Sequence, residues 1–460
     1  MNASATALEL SADPLGMPAD EMRRLGHLVV DRVIDHLESL ERLAPVEAGD
    51  GRELRAALGG PAPQLPGDAE ESLELLADLA LVQMQHVSHP RYLARVPGPA
   101  SFAAILGDWM ATGFNGIAAS WGGGAGPTTV ELVALGWLRE ALGLDARTEG
   151  ILLSGGSMAS LVALATARRT VGHGTVYLTD QAHSCIPRAL RTLGYADDRI
   201  RIVPTDADLR LDVAALEELV AADPEATIVV ATAGSTNTGT VDPLAAVADV
   251  AERHGLWLHV DGAYGAPAAI AGAPELADLH RADSLAVDPH KWLFQPYDAG
   301  VLYVRRPGAL ERAFALDAEY LTDVTSDDEP DLRDRTPELS RRARAVKLWL
   351  TFRAYGVEGL RRAIAGGISL AEYAEDAIRA TPGLRVVTPA RHGVVTFAVD
   401  GASHAEHLAI GRALEAEGTA ALTTTTLHGT SVMRLCTINP RATESDIDAV
   451  LEAIVLHYRG

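Results

Sequence analysis

The stretch Ala286-Val287-Asp288-Pro289-His290-Lys291-Trp292-Leu293 carries one of only two lysines in 460 residues, the other being Lys347. With 39 basic residues in the chain, positive charge is otherwise supplied by arginine. A guanidinium cannot condense with a carbonyl, whereas a lysine amine can form an imine. Lys291 is therefore where covalent chemistry is expected, with His290 before it and the apolar approach Ser284-Leu285-Ala286-Val287 leading to it. The alternative role for any single lysine is a solvated surface ion pair.

Three further groups stand where apolar runs end. Ser154-Gly155-Gly156-Ser157 leads from a strand into a helix, leaving bare amides and a hydroxyl at a helix amino terminus. That is a cradle for phosphate, although a plain Gly-Gly turn reads the same way. The run Leu256-Trp257-Leu258-His259-Val260-Asp261 finishes on a carboxylate, which can hold a pyridine nitrogen protonated or serve as a helix cap. His183, in Asp180-Gln181-Ala182-His183-Ser184, can stack on a flat ring or be an ordinary structural histidine. Jointly, a phosphate cradle, a stacking imidazole, a terminal carboxylate and an imine-forming amine are what pyridoxal 5′-phosphate requires. Asp261 precedes Lys291 by 30 residues, about one strand-helix-strand step. A dinucleotide-binding reading fails, because no glycine fingerprint occurs in the right context.

Strands must hold these groups in place. Candidates are 150–154, 175–178, 200–203, 227–231, 256–260, 284–287 and 300–304, with helical patterns such as 128–142, 158–170 and 244–254 between most of them. Short apolar strands alternating with helices predict an α/β fold with a mostly parallel seven-stranded sheet, covered on both faces, whose ligands sit at the carboxyl ends of the strands. Ahead of it, Met22, Leu25, Leu28, Val29, Val33, Ile34 and Leu37 recur at three and four, predicting an amphipathic helix in an arm over 1–90. The Gly/Pro-rich stretch 59–67 separates that helix from the next, and an arm with so little core is expected to pack on a partner subunit. After the large central part, 91–350, the tail 351–460 mixes a long helical segment, a strand at 393–399, a helix at 405–417, strand-like runs near 420–425 and 431–437, and a final helix opened by Thr443. That mixture predicts a small carboxyl-terminal α+β domain.

Asp+Glu 62 against Lys+Arg 39 gives a formal charge of −23, which argues against nucleic acid or an anionic membrane as partner. Cys185 and Cys436 are too few for a disulfide framework, and no Cys/His cluster has zinc spacing, so no metal is expected. Residues 1–16 have no basic segment followed by an apolar core, and no later run stays apolar for the roughly 18 residues of a spanning helix. A cytoplasmic protein is expected.

The sequence resembles the group II pyridoxal-phosphate decarboxylases, which include aromatic-amino-acid, histidine and glutamate decarboxylases. The resemblance rests on Gly155-Gly156-Ser157, Asp180-Gln181-Ala182-His183-Ser184, His259-Val260-Asp261-Gly262-Ala263-Tyr264, Pro289-His290-Lys291-Trp292, and Leu339-Ser340-Arg341-Arg342 with Lys347. It runs from about Pro90 to the end of the chain. It implies the aminotransferase-like fold type I, with Lys291 as Schiff-base lysine, Asp261 on the ring nitrogen, and Ala263 supporting the ring opposite His183. It further implies that Gly156, Ser157, Thr236, Asp288 and His290 surround phosphate or ring, although Asp288 stands where some relatives have asparagine. Arg434 matches an arginine of the small domain. The family is dimeric, with sites built from both subunits, so a homodimer with shared sites is implied.

The chain also departs from the family. Aromatic-acid members carry a loop tyrosine that reprotonates the substrate carbon, and a gapless count places Leu332 there; residues 321–345 contain no tyrosine or histidine. The acid is then His183, His290, Tyr320 or water. Relatives without that tyrosine can decarboxylate and oxidatively deaminate to an aldehyde. The family's pocket-lining aromatics correspond to Val87, Arg95, Val96 and Ala119, while Gly98 lies on the same segment and Trp121 is kept. Arg95 is either a pocket guanidinium or a surface arginine. The expected reaction is decarboxylation of an L-amino acid to its amine, with aldehyde formation, or cofactor binding without turnover, as the alternatives. On these pocket residues, aliphatic or acidic amino acids are expected to outperform tryptophan and dopa.

Overall fold

The computed structural model describes residues 13, 15–96, 98–316 and 329–459. Seven strands form one sheet: β1 (Glu149–Leu153), β2 (Thr175–Thr179), β3 (Ile200–Val203), β4 (Ala226–Thr232), β5 (Trp257–Asp261), β6 (Ser284–Val287) and β7 (Gly300–Val304). Their order is β1-β7-β6-β5-β4-β2-β3. β7 runs antiparallel to both β1 and β6, and all other neighbours are parallel. β1 and β6 consequently point the same way. Six carboxyl ends and the amino end of β7 meet at one edge of the sheet.

Near-continuous apolar strands suit a sheet covered on both sides, and alternate residues go to opposite cores. Leu152, Val229, Leu258 and Val260 join one cluster, whereas Ile151, Leu153, Ile228, Val230 and Trp257 join the other. At the shared edge, β7 has to begin with glycine. A Cβ on Gly300 would collide with the backbone of Gly155, so this close approach sets where the Gly155 turn lies.

A second sheet, β8 (Leu384–Arg391), β9 (Val394–Val399), β10 (Thr423–Leu427) and β11 (Thr430–Cys436), is antiparallel throughout, in the order β10-β11-β9-β8. The helix Ala345–Ala380 leads into it, beginning ahead of residue 351 and bending at Gly356. The arm carries the helix Ala19–Ser39, which leaves Met22 and Val29 exposed. The sequence reading misses β8 and the short helix Gly51–Leu58. β8 lies at a sheet edge, and its Arg385, Pro389 and Arg391 break the alternation by which a strand is recognised. No helix among the described residues is long and apolar enough to cross a membrane.

Arg341, from the Leu339-Ser340-Arg341-Arg342 stretch, is fully buried against Glu131 at 2.6 Å, and both side chains are inaccessible. Glu131 Oε1 also accepts from the backbone N–H of Leu152, while Arg341 donates to the carbonyls of Leu152 and Ala118. This pair bolts the segment before the long helix to β1. Removing one member of a buried pair leaves a stranded charge, which costs about 3–5 kcal/mol. Glu131→Ala is therefore expected to lower the thermal unfolding midpoint far more than Glu217→Ala, which removes an exposed partner of Arg253. Similar midpoints for the two variants would show that the Arg341 pair does not carry this part of the fold.

Candidate active site

The sheet edge opens into a cavity of about 380 Å³. That is within the usual range of small-molecule sites, about 300–1,000 Å³. Its walls come from the ends of β1, β2, β4, β5 and β6, and include Gly156, Ser157, His183, Thr236, Asp261, Ala263, Asp288, His290 and Lys291. Every residue predicted to hold the cofactor is thus brought to one place. The reason is topological. β5 and β6 pair in parallel, Asp261 opposite Ala286, so the carboxylate ending one strand and the turn following the other are neighbours.

Asp288 is the hub of that turn. Its Oδ2 lies 3.0 Å from Lys291 Nζ and 3.5 Å from His290 Nε2, and its backbone N–H donates to the carbonyl of Ala263. Burial works to lower the pKa of the Lys291 amine, but the Asp288 and Asp261 carboxylates outweigh it and the net shift is upward. His290 is buried and its Nδ1 accepts from the N–H of Ala299 at 3.1 Å. The proton of the neutral ring therefore sits on Nε2, on the side of Asp288. Burial keeps this imidazole below its ordinary pKa against the pull of Asp288.

His183 follows β2, and its Nδ1 accepts from the N–H of Cys185 at 3.2 Å, which again leaves Nε2 protonated. One side of the ring is exposed, yet atoms crowding the other push its pKa down, opposed by the Asp261 carboxylate. Asp261 is itself buried and accepts from the N–H of Ala263 at 3.2 Å. Cys185 also lines the cavity, but burial pushes its thiol up to about 12, so it is a wall and not a nucleophile.

These walls fit pyridoxal phosphate. The helix Gly156–Val171 starts from Gly155 with no side-chain cap, so its first amides are open donors for a phosphate. Among the described residues, Asp288 Oδ1 is buried without a hydrogen-bond partner, and Lys291 Nζ lies 3.0 Å from Asp288 Oδ2. An amine free to condense, a buried carboxylate for a ring nitrogen and uncapped amides are the donor set that the cofactor requires.

The substrate residues read from sequence fare differently. Val96 and Leu332 are buried, each in a different core cluster. Leu332 shares its cluster with Leu153, Ala159 and Leu310. Ala119 is buried as well, its carbonyl accepting from the N–H of Arg333, and Val87 packs beside Tyr92. Trp121 is half-buried, with its N–H on Asp331 Oδ1. Arg95 is exposed, and its carbonyl accepts from buried Arg434 at 3.0 Å. Gly98 backs the lysine closely, because a Cβ there would fall on the carbonyl oxygen of Lys291. Tyr320 lies outside the described residues. Sequence reasoning missed Thr232, Gly234, Met158 and Cys185 as walls, each within a few residues of a strand end that it did identify.

Residues 55–400 match the pyridoxal-dependent decarboxylase conserved domain. An aromatic-L-amino-acid decarboxylase from Bacillus atrophaeus is 39% identical, over 96% of each chain. The crystal structure of Oryza sativa TDC with PLP and tryptamine is similar at a TM-score of 0.92 and 30% identity, covering 98% of this chain and 99% of that one. A Rhodiola rosea 4-hydroxyphenylacetaldehyde synthase structure is similar at a TM-score of 0.89 and 25% identity, over 97% of this chain and 99% of that one.

Asp288→Asn removes the nearest carboxylate from Lys291, so its amine should lose a proton at lower pH than in the unaltered protein. After the protein is stripped of cofactor, the pH profile for condensation with added pyridoxal phosphate, read by absorbance, is expected to move to lower pH. Lys291→Ala should abolish the absorbance change. An unmoved profile, or an adduct forming on Lys347, would refute this account of the cavity.

Proposed function

The chain belongs to the pyridoxal-dependent decarboxylases, pyridoxal 5′-phosphate enzymes that release carbon dioxide from an L-amino acid to leave the amine, and we propose from this cavity which of its residues do the work. Lys291 is the Schiff-base lysine, held ready by Asp288. The amides of Gly156 and Ser157, with Thr236, would take the phosphate. Asp261 would keep the ring nitrogen protonated, and His183 and Ala263 would enclose the ring. The cofactor, when bound there, supplies an electron sink that weakens bonds to the substrate's α-carbon. The single observation carrying this reading is the meeting, at one sheet edge, of an uncapped helix terminus, a buried Asp261 and the Lys291–Asp288 pair.

The substrate we infer is an aromatic L-amino acid. The relatives reported above support it, against the expectation of an aliphatic or acidic amino acid that rested on Arg95, Val96 and Ala119, of which Arg95 is exposed and the other two are buried. Aldehyde formation is the second reading. It is favoured by the lack of any tyrosine or histidine in residues 321–345, together with the likeness to a 4-hydroxyphenylacetaldehyde synthase.

We also take the arm (1–90), the cofactor-carrying part (91–350) and the small part (351–460) as the functional division, and a cytoplasmic homodimer as the working form. Cys185 and Cys436 are unpaired, which suits a reducing compartment. Met22 and Val29 on the arm, and Met110 and Phe114 at the helix Phe102–Gly113, are exposed apolar surface that a second copy would cover. Sedimentation should give twice the chain mass, and an active species at the single-chain mass would remove the dimer.

With a panel of L-amino acids, tryptophan, tyrosine and dopa are expected to release more carbon dioxide than leucine or glutamate, with amine matching carbon dioxide. Aldehyde with ammonia and peroxide would establish the second reading. Consumption of substrate without carbon dioxide would sink both.

A further inference from the structure

Amine formation requires a proton on the α-carbon once carbon dioxide has left. Leu332 cannot deliver one, and residues 329–345 hold no phenol or imidazole. Both cavity imidazoles have Nδ1 taken by a backbone N–H, and the remaining proton of His290 faces Asp288. The loop between β6 and β7 offers another group.

Tyr297 stands six residues past Lys291, and its ring lies 4.8 Å from that of His290, tilted by 44°. It is 57% exposed, and its phenol makes no hydrogen bond among the described residues. Burial, with help from the Asp288 carboxylate, holds that phenol above its ordinary pKa against the opposing charges of Lys291 and Arg95. The loop itself is held from several sides. Lys347 Nζ donates to the carbonyl of Pro296 at 2.9 Å, Arg344 Nε to Asp298 Oδ1 at 3.2 Å, and the buried Gln295 to the carbonyl of Leu293 at 2.7 Å. Lys347 is fully inaccessible; burial lowers its pKa, and Asp108 at 3.2 Å opposes that shift. The second lysine of the chain thus fixes the backbone one residue before an exposed phenol. A firmly held loop thus presents a phenol beside His290, without a hydrogen-bond partner among the described residues.

We propose that Tyr297 is the acid that protonates the substrate's α-carbon, with Lys347 and Arg344 as its positioning residues. The inference rests on the amine-forming reading above. The bond between α-carbon and carboxylate breaks, carbon dioxide leaves, and the electron pair left behind takes the proton from Tyr297 Oη. The phenolate then recovers a proton from solvent, so each turnover consumes one proton. Where no proton arrives, dioxygen can accept the electrons and become hydrogen peroxide, and hydrolysis then gives aldehyde and ammonia.

Tyr297→Phe keeps the ring against His290 and removes only the hydroxyl, and the residue is exposed enough for the variant to fold. In the cofactor-loaded enzyme, with the best substrate of the panel, carbon dioxide release is expected to continue. The ratio of amine to carbon dioxide should fall by roughly 100-fold, the usual contribution of a general acid. Aldehyde and peroxide should make up the difference. Absorbance titration of the stripped variant with pyridoxal phosphate should give the affinity of the unaltered protein, showing that the cavity is intact. An unchanged ratio would overturn the assignment, and an unchanged ratio with weakened cofactor binding would leave Tyr297 a packing role only. Failure of the unaltered enzyme to release carbon dioxide from any amino acid would overturn the functional reading itself.

Discussion

An ammonium in an enclosed cavity is sustained only by a carboxylate close to it, since an unpaired buried charge costs several kcal/mol. The Lys291–Asp288 contact, at 3.0 Å, is that arrangement, and the surrounding structure can be understood as what keeps it in place. Asp288 is held through its N–H on Ala263, two residues beyond Asp261, so the ends of β5 and β6 are tied to each other and to the lysine. Because β7 reverses direction between β6 and β1, the Gly155 turn reaches the same edge and presents its amides opposite the amine.

Much of this was legible in the residues. Strands buried on both faces appear as unbroken apolar runs, and each run ends sharply on a polar residue: Leu153 before Ser154, Val260 before Asp261, Val287 before Asp288. A reactive group immediately after such a run has few places to be other than the sheet edge. The helix beginning at Gly156 was equally plain, as glycines abut an apolar period of three and four.

What escaped were the features fixed by side-chain direction and by long-range contact. Position 332 was assigned by counting along a segment, but counting cannot tell whether a leucine points to a rim or a core. Val96 likewise lies in a core cluster, which a linear count cannot reveal. β8 carries Arg385, Pro389 and Arg391, as an edge strand can, and looked like a loop. Tyr297 was passed over because a short stretch between two strands reads as a connection. Its signal was an aromatic flanked by Pro296 and Asp298, six residues past a reactive lysine.

The Gly98 contact has a bearing on how such an enzyme can diversify. Because any side chain at 98 would displace the carbonyl of Lys291, this strip of the rim cannot be enlarged or filled without moving the catalytic amine. Arg95 is exposed and can change size or charge without disturbing the buried groups beneath it. New substrate preferences in this lineage would therefore arise by substitution at exposed rim positions, while 98 stays glycine through every change of specificity.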